Sequence, residues 1–224
     1  MYNQRPAIHH PQPPSDNLIK VTGEGEIAVQ PDTASVNLGV VTEDKELVEA
    51  QQQNSTISTK IIDSLLALGI DKNHIQTFDY RIEPDYEYVE GKAIFRGYKV
   101  THILQVKIDD LSLVGKVIDT AVQNGANVVA NVRFTTKFKD AYYQQALALA
   151  LKNAGDKATT IAATIRVTLN PTPTLVMEVG NIVQPFESQQ MMFAKGVSST
   201  QIEPGQLLIK ASVIAEFKYR PING

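Results

Sequence analysis

The 224-residue chain contains no cysteine, which excludes disulfides, thiolate metal sites and cysteine nucleophiles together. No stretch approaches the roughly eighteen consecutive apolar residues of a membrane-spanning helix, so no transmembrane segment is expected. Basic blocks are absent as well: the net charge is −3, and lysines and arginines are scattered along the chain. Affinity for nucleic acid comes largely from clustered cations meeting phosphates, so a DNA or RNA partner is not expected. The opening MYNQRPAIHHPQPPSDN has one Arg, four prolines and no apolar centre of the kind a secretory signal carries. Residues 1–17 therefore read as a disordered tail, and the expected location is cytoplasmic.

What is present is globular in character, with 43% hydrophobic and 20% charged residues. From Leu18 onward, Ile19, Val21, Ile27 and Val29 share one parity, and Gly23 and Gly25 fall on it too. Pro31-Asp32 has turn chemistry, and Ala34, Val36, Leu38 and Val40 alternate after it, so the two runs read as a hairpin. The period then changes to steps of three and four through Leu47, Ala50, Asn54, Ile57, Ile61, Leu65 and Leu68, a long helix with an acidic start and Gly69 at its end. A second hairpin joins HIQTFDYRIEPDYEYV to AIFRGYKVTHILQVKI at Glu90-Gly91-Lys92. The helix LSLVGKVIDTAVQNG follows, so strand, strand, helix occurs twice.

A fifth strand over residues 127–138 leads to a third helix over 139–165. Its alanines, Ala146, Ala150, Ala154, Ala158 and Ala162, recur every four residues and predict close packing against a neighbour. TPTLVMEVG and QLLIKASVIAEFKYR read as closing strands. Between them, residues 181–205 form a long loop, rich in Gln and Ser, carrying Met191, Met192 and Phe193. The expected fold is a single α+β domain over 18–220, an extended and mostly antiparallel sheet of about seven strands in the order ββα-ββα-β-α-ββ, covered by three helices.

The Gly-x-Gly of VTGEGE lies inside a strand that leads to another strand. A phosphate-binding loop needs a strand before it and a helix N-terminus after it. Buried glycines within a strand point instead to a bend or to a closely approaching neighbour. Glu83, Asp85 and Glu87 alternate on one strand face, where they share one environment, unlike the separated pKa values of an acid/base pair. They read as a solvated face, with a divalent cation site as the minor alternative. His102 sits amid an apolar parity and reads as a hydrogen-bonded, partly buried histidine. Neither a serine triad nor a metal-ligand spacing is visible, so no catalytic, cofactor or metal residue is nominated. Tyr80, Tyr86, Tyr88, Phe95 and Tyr98 gather on the second hairpin, with tyrosines on the parity opposite to the acids. Tyr86, Tyr88 and Tyr98, together with Met191, Met192 and Phe193, are the candidate interface residues.

Four motifs, taken together, resemble the SIMPL-domain family. They are Thr-Gly-x-Gly followed by Pro-Asp-x-Ala, Leu-Gly-Ile followed by Ile-Gln-Thr, Pro-Asp-Tyr before the hairpin, and Gly-Ala-Asn before the fifth strand; the resemblance runs from Leu18 to Tyr219. It implies helices covering an antiparallel sheet and a tendency to form large homo-oligomers, and it implies no catalytic site. The family's links are to the bacterial envelope and to oxidative stress. The expectation is thus a bacterial, non-enzymatic, self-assembling scaffold or stress-response interaction module. The alternative is a small-molecule or metal-binding protein, or an unrecognised enzyme, with a pocket between helices and sheet lined by His102 and tyrosines.

Overall fold

Two periodicities lay out the chain. The strands are β1 (Leu18–Val29), β2 (Thr33–Asp44), β3 (Ile75–Val89), β4 (Lys92–Ile108), β5 (Val128–Thr135), β6 (Val167–Leu169), β7 (Leu175–Pro185) and β8 (Leu207–Pro221), most of them marked by alternation. Spacings of three and four give α1 (Leu47–Ala67), α2 (Val114–Gln123) and α3 (Lys139–Thr164). The structure is a computed structural model and describes residues 17–185 and 200–222. The α+β class is the expected one. The eighth strand is β6, whose three residues are too few for alternation to reveal. The antiparallel strands divide between two four-stranded sheets.

One unit comprises, among the described residues, 28–139, 184–185 and 200–208. Its sheet has the order β3-β4-β2-β5, and its chain order is β2-α1-β3-β4-α2-β5. This is the split β-α-β arrangement of ferredoxin-like folds. The repeat is therefore strand, helix, strand, displaced by one strand from the frame that the sequence suggests. Val36, Leu38 and Val40 of β2 and Leu104, Val106 and Ile108 of β4 form one wall of the core. Ile61 and Leu65 of α1 and Val117 of α2 pack against them. Gly69 and Gly125 end α1 and α2 with φ of +95° and +103°, the left-handed conformation that glycine adopts without penalty.

The expected β1–β2 hairpin does not form. Both edges of β2 are occupied by β4 and β5, and β1 pairs with β8. The chemistry of Pro31-Asp32 is used at the end of β5 instead. The Asp32 N–H donates to the Thr135 carbonyl at 3.1 Å, and its carboxylate accepts from the Lys137 N–H at 2.8 Å and the Thr136 hydroxyl at 3.2 Å.

The other unit comprises, among the described residues, 17–27, 140–183 and 209–222. Here β8 runs between β1 and the strands β6 and β7, and buries Ile209, Ala211, Val213, Ala215 and Phe217. All five alanines of the α3 stripe are buried, as are Gly23 and Gly25 of β1. Helix and strand meet there. A Cβ placed on Gly23 would overlap the Ala150 carbonyl oxygen and lie 2.7 Å from the Ala154 Cβ. One on Gly25 would overlap the Ala146 carbonyl oxygen and lie 2.8 Å from the Leu149 Cβ. The Gly-x-Gly is thus the strand's half of a helix–strand contact. Beside it, the Glu24 N–H donates to Asn153 Oδ1 at 3.1 Å and Lys157 Nζ donates to the Thr22 carbonyl at 2.7 Å, so α3 satisfies backbone groups along the edge of the sheet.

Candidate functional site

The β2–β4 ladder ends at Asp44↔Tyr98, whereas the β3–β4 ladder continues to Val89↔Lys92. Residues 85–97 therefore project beyond the four-stranded sheet as a two-stranded arm. Its tip is a two-residue turn, Glu90-Gly91, with φ of 48° and 78°, the positive pair that matches the twist of a hairpin. Its base carries a register shift between Asp85 and Tyr86, where Arg96 is the extra residue on β4. Gly97 lies beside that shift, and a Cβ there would overlap the Asp44 carbonyl oxygen.

The two faces of the arm differ. On one, Tyr86 meets Phe95 edge-to-face with ring centroids 5.7 Å apart, and Phe95 meets Tyr98 in the same way at 5.3 Å. Tyr86 and Phe95 remain about half exposed, and Tyr88, further out, is 76% exposed. Along the acidic parity, Glu87 pairs with Arg96 at 2.9 Å, while Arg81 lies 3.2 Å from Asp79 and 3.7 Å from Glu83. Those carboxylates are matched by arginines in water, as a solvated charge ladder requires. The structure thus brings Tyr86 and Tyr98 together through Phe95 and sets Tyr88 near the tip. Met191, Met192 and Phe193 lie outside the described residues. Sequence reasoning missed Arg96 and the register shift, although Gly97 was a visible signal for an irregular strand.

His102, on the helix-covered face of β4, has Nε2 3.2 Å from the Thr77 hydroxyl and its ring edge-on to Tyr80 at 5.3 Å. Burial lowers its pKa below the ordinary histidine value, so the imidazole is neutral at neutral pH. No helix among the described residues is long and apolar enough to cross a membrane.

Known proteins resemble the chain along most of its length. The family described as "Protein of unknown function (DUF541)", named SIMPL, matches residues 19–217. The "26 kDa periplasmic immunogenic protein" of Brucella melitensis is 31% identical over 189 residues, covering 82% of this chain and 73% of that protein. The "Uncharacterized protein YggE" of Escherichia coli strain K12 is 28% identical over 181 residues, with 81% and 73% covered. The protein of the same name from Edwardsiella ictaluri is 27% identical over 194 residues, with 86% and 80% covered. The expected cytoplasmic location is corrected by the Brucella relatives, whose names place them in the periplasm. The physical reason is that targeting is carried by short segments that take no part in the fold, so the folded domain does not itself record its compartment.

Proposed function

This chain belongs to the SIMPL family, and on that premise we propose that it is a non-enzymatic periplasmic protein that self-assembles through the β3–β4 arm and acts as a scaffold or interaction module. The exposed aromatic face of the arm carries this reading. A two-stranded ribbon is at best marginally stable in water, yet this one extends beyond its sheet with Tyr86, Tyr88 and Phe95 solvated. An aromatic side chain buries about 150–250 Å², so covering the exposed half of a ring removes roughly 75–125 Å² from water, worth about 2–3 kcal/mol per ring. Three rings on each of two copies therefore offer about 12–18 kcal/mol, comparable with the roughly 4–15 kcal/mol that association costs. The arginine-matched acids hold the other parity in water, so the aromatic face is the one available for contact.

Light scattering over a concentration series tests the proposal. The wild type should run above monomer mass, and the Tyr86→Ser/Tyr88→Ser double variant should shift toward monomer. A wild type that stays monomeric at high concentration refutes self-assembly. An unchanged size distribution in the variant removes the arm from the interface.

A further inference from the structure

Helix α1 covers its sheet with two unlike halves. Its downstream turns bury Ile61 and Leu65, whereas the upstream positions on the same face are Asn54 and Ser58, only 1% and 5% exposed. Asn54 Nδ2 donates to the Val40 and Val100 carbonyls at 3.2 and 3.0 Å, and the Ser58 hydroxyl donates to Asn54 Oδ1 at 3.4 Å. The floor under this half of the helix is therefore polar and fixed in place. Along the adjoining edge of α1, Gln51, Ser55 and Thr59 recur every four residues, so their side chains stack in one row. Across from that row stand Tyr80 and His102, and the space between is a groove of about 200 Å³. Apart from Ile62, its lining consists of carboxamides, hydroxyls, a phenol and an imidazole, with no carboxylate, ammonium or guanidinium.

We propose that this groove binds a small, uncharged, polyhydroxylated molecule of the size of a monosaccharide or short polyol. Its volume equals roughly six or seven waters at about 30 Å³ each, and lies below the range of about 300–1,000 Å³ typical of drug-sized ligands. A nucleotide is too large for it. A charged ligand would lose hydration and meet no counter-charge, which disfavours anions and cations alike. A polyol has hydroxyls that both donate and accept, as do the hydroxyls, carboxamides and neutral imidazole of the lining. The half-exposed Tyr80 ring supplies an apolar surface for the C–H groups of a sugar. The Gln51 amide lies 3.5 Å from the Tyr80 hydroxyl, a long and weak bond that a ligand hydroxyl can replace.

The test is an NMR titration of the full chain that follows the His102 imidazole. The probes are glucose, galactose, myo-inositol and glycerol, alongside glucuronate, glucosamine and glucose 6-phosphate. At least one uncharged probe should give a saturable His102 shift, with the charged analogues about tenfold weaker or more. Tyr80→Ala should weaken the binding by about tenfold, equivalent to about 1.4 kcal/mol. Ser55→Leu, on the exposed edge of the helix, should block the groove without disturbing the fold and serves as the second variant. Tyr88→Ser should leave binding unchanged, which separates this site from the assembly surface. The proposal is overturned if no uncharged probe saturates by on the order of 50 mM, well above millimolar affinity. Tighter binding of a charged analogue, or binding that survives both Tyr80→Ala and Ser55→Leu, overturns it equally.

Discussion

Gly23→Ala tests the close contact between β1 and α3. The new methyl would overlap the Ala150 carbonyl oxygen and sit 2.7 Å from the Ala154 Cβ and 2.8 Å from its N. Ordinary carbon–carbon contact is about 3.5–4.0 Å, so α3 must retreat by about 1 Å. None of these neighbours can swing aside, because they are backbone atoms and an alanine Cβ. Overpacking costs about 1–3 kcal/mol where side chains can adjust, and a rigid obstacle places this case at the upper end or beyond. Retreat also opens a gap beneath the buried alanines, where about 0.5–1 Å forfeits a quarter to a half of each dispersion well. The expected loss is about 3 kcal/mol, or roughly 6–12 °C in Tm for a chain of this size. Gly155→Ala is the matched control, since a Cβ there meets nothing within 4 Å on the same helix. It should stabilise by about 0.5–1 kcal/mol by relieving the helix of a glycine. Denaturant titrations read both variants, with a change in midpoint at constant slope as the signature. A Gly23→Ala midpoint equal to that of the wild type refutes the close-contact reading of the Gly-x-Gly.

Asn54→Ala removes both amide bonds to the Val40 and Val100 carbonyls and should lower stability by about 1–3 kcal/mol; an unmoved denaturant midpoint would show those bonds to be dispensable. His102 is held neutral by burial, so below its ordinary value of 6.5 the unfolded chain takes up a proton that the folded chain refuses. Stability then falls as the pH drops through 6.5 toward the depressed folded value, and this penalty is complete below it. His102→Gln should flatten that acid limb relative to the wild type, and parallel stability–pH curves would refute it. Asp119→Ala removes the carboxylate that accepts the Thr200 N–H at 3.1 Å and its hydroxyl at 2.6 Å. Amide exchange at Thr200 should accelerate while global melting changes little, and unchanged exchange would show those bonds not to protect it.

The helices were legible because their signals are local. The apolar face of α1 and the glycines that end α1 and α2 all lie within a few residues of the structure they specify. The Gly-x-Gly and the alanine stripe each announced a close neighbour. That they are each other's neighbour is a contact across more than a hundred residues, and no local pattern encodes it. The β1–β2 hairpin was misread because adjacency in sequence predicts pairing only when an edge is free, and β4 and β5 occupy both edges of β2. In the arm, parity gave the aromatic face directly. Its projection beyond the sheet follows from unequal strand lengths, 12 residues in β2 against 15 and 17 in β3 and β4. The polar groove had one signal in the chain, Asn54 standing within an otherwise apolar helical stripe.

The two sheets treat their margins differently, and the contrast bears on assembly. At β1, Asn153 and Lys157 of α3 bond the strand's outward N–H and carbonyl, which removes two docking points for another strand. Among the described residues the arm receives no such cover: its ladder there runs between its own two strands, and its aromatic face is exposed. A fold that uses helix side chains to close one edge has the means to close another, and the proposed assembly gives the open arm a use. The arginine-matched acids narrow that use. They keep the charged parity hydrated and leave the tyrosine face as the surface whose burial yields net free energy. In the proposed assembly, contact through that face would also stabilise the arm itself, because a ribbon of two strands becomes robust once an apolar surface is packed against it. The proposal therefore couples folding of the arm to association of the subunit.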